Sequence, residues 1–120
     1  MEFTQQNANQ NTIISFDDLT ITLSHSKVNL PCFISSNESR ELPAIKLTEV
    51  DKELLFPLLS KDSIDLLIIG TGKSPVFLSP EQQMSLSEIN LGVECMNNTS
   101  ACSSFNLLLG DLRKVGLLIL

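Results

Sequence analysis

The hydrophobic pattern of the chain changes character about halfway along. From residue 13 to 34, apolar and polar positions alternate through short β-branched segments, "TIISF", "LTITLS" and "KVNLPCFIS". Alternation with period two puts one strand face in a core and the other in water. These segments therefore predict three antiparallel strands, broken at Asp17-Asp18 and at His25-Ser26. Pro31 has no N–H to give a ladder, so the third strand is expected at an edge or with a bulge. The polar "SSNESRELP" (35–43) reads as a connection. Thr48 is the expected start of a helix, with Asp51 as an acidic partner in its first turn. Val50, Leu54, Leu55, Leu58 and Leu59 make its apolar stripe, and Pro57 predicts a short helix or two helical pieces.

From Ile64 the alternation disappears. "IDLLIIG" is apolar throughout, which predicts a central strand over 64–70 that is covered on both faces, with Leu67 and Ile69 buried. "SPVFLS" reads as a further strand. Ser79-Pro80-Glu81-Gln82 carries a helix start: a serine cap, proline at the first helical position and glutamine to complete a capping box. "LGVECM" (91–96) is a strand, and Asn98 or Thr99 caps a helix whose inner face is Ala101, Cys102, Phe105, Leu108, Leu109 and Leu112. "KVGLLIL" closes the chain as a strand. Strands alternating with helices over 64–120 imply an α/β core with a largely parallel sheet.

Composition narrows the class. The chain has 120 residues, of which 42% are apolar and 18% charged, enough for one core. Residues 1–11 are rich in Gln and Asn and read as a loose tail, leaving 12–120 as one α/β domain. The net charge of −6 argues against nucleic acid as a partner, because phosphate binding needs clustered Lys and Arg. No apolar stretch reaches the roughly 18 residues of a membrane span. The opening "MEFTQQNANQN" has neither a basic nor an apolar leader region, so a cytoplasmic location with reduced thiols at Cys32, Cys95 and Cys102 is expected.

Three segments carry a resemblance: "LLIIGTG", "FLSPE" and "LGVECMNNTSACSSFNLLLGDLRKVGLLIL". They resemble a small domain family of unknown function that includes a mitochondrial respiratory complex I assembly factor and an adipogenesis-associated domain protein. The family's strand-Gly-Thr-Gly turn is intact at Gly70, Thr71 and Gly72. Its small-residue helix start with an aromatic-Asn pair appears as Ala101, Cys102, Phe105 and Asn106. The family's usual threonine, threonine, tyrosine and glycine are replaced by Asn98, Ser104, Phe105 and Leu112, and its tryptophan is absent. The resemblance implies a three-layer α/β fold, with a mixed central sheet, helices and an additional N-terminal antiparallel β layer. It brings no established chemistry.

The candidate chemistry is sparse. Gly72-Lys73-Ser74 matches only the end of a phosphate loop, whose first glycine falls at Leu67, and a dinucleotide fingerprint fails at Pro75. Gly70-Thr71-Gly72 therefore reads as a turn. His25 reads as an exposed turn residue, and Cys102, on the apolar stripe with Phe105, as a small hydrophobe. One histidine and three scattered cysteines offer no metal site, and no cofactor is expected. One ligand cleft suggests itself, where Gly70, Thr71 and Gly72 end one strand and Asn98, Thr99 and Ser104 follow another. The expected function is a non-enzymatic interaction or assembly module with another protein as partner. The alternative is a small-anion binder or minor enzyme using that cleft.

Overall fold

The computed structural model describes residues 11–120. The expected tail at 1–11 lies outside the described residues except for Asn11, whose carboxamide donates to the carbonyls of Ser35 (2.8 Å) and Glu38 (3.0 Å). Strands β1 (Ile13–Phe16), β2 (Thr20–Leu23) and β3 (Lys27–Asn29) form an antiparallel meander. The second sheet contains β4 (Cys32–Ile34), β5 (Ser39–Glu41), β6 (Leu66–Gly70), β7 (Gly92–Met96) and β8 (Val115–Ile119), in the order β5-β4-β8-β6-β7. It is mixed: β6 runs parallel to β7 and β8, while β4 is antiparallel to β5 and β8. Helices α1 (Lys52–Leu59), α2 (Pro80–Ser87) and α3 (Asn98–Gly110) complete a three-layer α/β fold.

The unbroken apolar runs are explained by cover on both faces of this sheet. Ile68, Leu117, Ile119, Cys32 and Ile34 point to one side, where Ala101, Cys102, Phe105 and Leu109 of α3 meet Ile13, Ile21, Leu23 and Val28 of the meander. Leu67, Ile69, Leu118 and Phe33 point to the other, against Leu55 and Leu58 of α1 and Leu86 of α2. Leu67 and Ile69 are fully buried. The middle strand, however, is β8; β6 lies beside it and begins at Leu66, so the expected centre at 64–70 is displaced by one strand.

Other boundaries also differ. The third N-terminal strand is two strands in different sheets, divided at Pro31. The Leu30 N–H still bonds to Leu19 in the meander (2.9 Å), whereas the Pro31 carbonyl accepts from Leu42 beside β5 (2.9 Å). Pro31 has no donor to continue the first ladder, and the chain changes sheets there. The polar 35–43 segment contains β5, an edge strand whose Ser39, Arg40 and Glu41 pair with Ile34, Phe33 and Cys32. An edge position tolerates a polar sequence. Thr48 lies in a 3-10 turn (Leu47–Glu49), and Asp51 is the true cap of α1, accepting from the Leu54 N–H at 2.8 Å. Pro57 sits inside α1, which is a single short helix.

"SPVFLS" is not a strand: residues 75–79 are irregular and belong to neither sheet. Its end does behave as expected. Ser79 caps α2, with reciprocal bonds to Gln82 of 3.1 and 2.9 Å. The cap of α3 is Asn97, whose side chain accepts from the Ser100 N–H (2.8 Å), rather than Asn98 or Thr99. Leu112 lies past the end of α3, at φ 60° and 79% exposed, so it leaves the expected inner face.

Candidate functional site

Strands β6 and β7 are adjacent, parallel and in register, with Gly70 opposite Met96. The two loops that leave their carboxyl ends therefore meet. The ladder closes with the Thr71 N–H bonded to Met96 O (2.9 Å). Beyond it, Gly72 turns at φ +99°, in the left-handed region that favours glycine. Its N–H donates to Oδ1 of Asn98 (2.9 Å), and its carbonyl accepts from the Asn98 N–H (2.8 Å). Gly70 makes room for that arrangement. A Cβ there would lie 2.6 Å from Asn98 Oδ1 and 2.4 Å from Ile119 Cδ1.

A cleft of about 380 Å³ opens above this junction, lined by Phe16, Asp18, Gly72, Lys73, Asn97, Asn98, Thr99 and Ser100. Three of the six expected site residues, Gly72, Asn98 and Thr99, line it. Gly70 is buried beneath it. Thr71 is turned into its own loop: its hydroxyl donates to Ser74 O (2.8 Å) and accepts from the Val76 N–H (3.0 Å), so it is not available as a ligand donor. Ser104 lies further along α3 and is not part of the lining. The amides of Gly72, Asn98 and Ser100 are likewise committed within the protein.

The remaining polar groups are of both signs. Lys73 stands on the loop after β6, and Asp18 faces the cleft from the β1–β2 turn together with Phe16. Asp17, next to it, accepts from the N–H groups of Leu19 (2.8 Å) and Thr20 (2.9 Å). Those bonds, that of Leu19 foremost, hold its carboxyl below the usual carboxylate range. The sequence marks Asp17-Asp18 as a strand breaker. It carries no local signal that this hairpin packs across the start of α3.

The other candidates occupy structural positions. His25 lies exposed in the β2–β3 turn. Cys32 and Cys102 are buried in the same core, and burial pushes their thiols up to about 12 and about 11. Cys95 is half-buried on β7, and burial raises it as well. Among the described residues, no group of three His, Cys, Asp or Glu side chains is placed to hold a metal ion. Nor is any helix among them long and apolar enough to cross a membrane.

The fold has close structural counterparts. A protein from Bordetella parapertussis superposes with a TM-score of 0.79 at 23% identity, covering 92% of this chain and 95% of its own. An outer membrane protein from Bartonella henselae gives 0.78 at 20% identity, covering 93% and 95%. A Bordetella pertussis protein described as a Mth938-like domain gives 0.74 at 20% identity, covering 94% and 86%. At these identities the likeness is one of fold. No curated protein matches the chain. Residues 13–120 match the family described as protein of unknown function (DUF498/DUF598), and the chain belongs to that family.

Proposed function

We propose that the protein is a non-enzymatic interaction module of the cytoplasm, which acts by holding another protein. One observation carries this reading. Val76, Phe77 and Met84 are 53%, 68% and 68% exposed, and all three fall within the short stretch that joins β6 to α2 and forms α2. Phe77 also walls a groove of about 270 Å³ whose other apolar walls are Leu78, Leu86, Leu91, Val93 and Cys95. An exposed aromatic that walls a groove marks a candidate contact surface, and two further exposed apolar side chains lie close to it in sequence, whereas isolated ones need no explanation. The resemblance to a family that includes a respiratory complex I assembly factor supports this reading. The test is affinity purification from the native cell. A stoichiometric protein partner is expected, and Phe77→Ser should lose it while the variant still melts cooperatively. Recovery of no protein, or retention by Phe77→Ser, refutes the proposal.

A second reading, a small anion in the 380 Å³ cleft, rests on Lys73 and on the Thr99 N–H. Among the described residues that N–H has no protein acceptor in the first turn of α3. Asp18 opposes an anion from the facing wall. Phosphate should then raise the melting temperature, and more so in Asp18→Asn. No rise in either protein removes this reading.

A further inference from the structure

The groove beside Phe77 has as one wall a strand with an open outer edge. β7 is the last strand of its sheet and, among the described residues, pairs with β6 alone. The Gly92 N–H donates to Asp65 O (2.9 Å) and Met96 O accepts from the Thr71 N–H (2.9 Å), so Gly92, Glu94 and Met96 turn their backbone groups toward β6. By the alternation of a parallel ladder, the N–H and C=O groups of Val93 and Cys95 face outward. None of these four has a backbone partner among the described residues. The side chains of the same two residues line the groove on the α2 side, together with Phe77, Leu78, Leu86 and the polar Gln83. Glu94, exposed, points to the opposite face and makes no ion pair among the described residues.

We propose that the free edge of β7 receives an extended strand of a partner protein, one that carries Lys or Arg opposite Glu94 with apolar neighbours directed into the groove. This rests on the interaction-module reading and adds the seat and the chemistry of the partner. Main-chain bonds from Val93 and Cys95 supply affinity, and alternate side chains supply selection. The charge argues for the occupant. The chain carries a net −6, and its edge strand presents a single unpaired carboxylate at mid-length, which a basic side chain complements. A second copy of the chain fits worse. Antiparallel self-pairing over the whole of β7 sets Glu94 against Glu94, and like charges directly opposite are destabilising. A lone charge on an edge also deters aggregation, but such a guard has no need of an apolar groove alongside.

The test uses a short peptide of alternating Val and Lys, and its counterpart with Glu in place of Lys, titrated into the full chain while its amide signals are followed. The Lys peptide should bind and protect the Val93 and Cys95 amides from exchange. Glu94→Lys should invert the preference, with roughly a tenfold change for each peptide, as expected from exchanging a favourable for an unfavourable cross-strand pair. Val93→Pro removes an outward donor without touching the β6 ladder, and it should abolish binding. If Val93→Pro does not fold, the charge reversal at Glu94 is decisive on its own. Failure of the Lys peptide to bind, protection elsewhere, or indifference to charge reversal overturns the proposal. So does a native partner that Glu94→Lys retains and Phe77→Ser loses, an outcome that leaves the interaction reading standing. Absence of any native partner strikes that broader reading instead.

Discussion

Gly72 and Asn98 hold each other by two hydrogen bonds, one to the Asn98 side chain and one from its backbone, across the ends of two parallel strands. The pair joins the β6 loop to the first turn of α3, and Gly70 beneath it leaves the space that the Asn98 carboxamide fills. The Gly-Thr-Gly sequence is thus a joint between strand and helix. Its polar groups are largely engaged within the protein.

Removing the side-chain half of this joint should be measurable. Asn98→Ala leaves the half-buried Gly72 N–H without its acceptor and should cost about 1 kcal/mol in denaturant melts. Faster exchange of the Gly72 amide is expected, while Asn98→Asp keeps an acceptor and should retain most of the stability. Equal losses in the two variants would show that the bond contributes nothing.

The two glycines should fail for different reasons. At Gly72 nothing lies within 4 Å of an added Cβ, so Gly72→Ala suffers only from the left-handed backbone, about 1 kcal/mol. At Gly70 the methyl meets Ile119 Cδ1 and Asn98 Oδ1, and overpacking of this kind costs about 1–3 kcal/mol. Ile119→Val removes that Cδ1 and should restore part of the loss in Gly70→Ala but none in Gly72→Ala. Double-variant melts check this.

How much of this was legible depends on whether the signal was local. The runs that became β6 and β8 are apolar on both faces and could be read directly, as could the Ser79-to-Gln82 capping box, since each rests on residues close in the chain. β5 escaped because Ser39–Glu41 is polar and pairs only at an edge. "SPVFLS" misled because β-propensity reports a fit to a pleated, half-buried surface and does not by itself place a segment in a sheet; this one joins neither sheet. The cleft was legible as far as two strand ends could be placed side by side. Its third wall, Phe16 and Asp18, comes from a distant hairpin packed over α3, which no local pattern encodes.

Asn106 is the clearest case of a motif residue whose role is long-range. Its carboxamide accepts from the Ile13 N–H (2.8 Å) and donates to the Ile13 carbonyl (2.9 Å), binding α3 to the edge of β1. Asn106→Ala should therefore destabilise by about 1–2 kcal/mol. Amide exchange should quicken first in β1, ahead of β6 and β8. Uniform acceleration across all strands would mean that β1 does not open separately.

The cysteines should make stability fall at alkaline pH. Burial, aided for Cys32 by Cys102 and Glu41, raises the Cys32 thiol from 9.0 to about 12, and burial raises Cys102 from 9.0 to about 11. A raised folded-state value means that the folded chain keeps protons which the unfolded chain has already released. The unfolded state then binds fewer protons, and stability declines as pH rises. The contribution is complete below about pH 9 and is lost progressively as pH climbs toward the folded values of about 11 and about 12. Melting temperatures across this window should drop, and the double variant Cys32→Ala, Cys102→Ala should drop less steeply from a lower starting point. Alkylation supplies an independent check, because a buried neutral thiol is a poor nucleophile. Half-buried Cys95 should react first in the native protein, and Cys32 and Cys102 only once the chain unfolds. Rapid native labelling of Cys102 would contradict its place in the core.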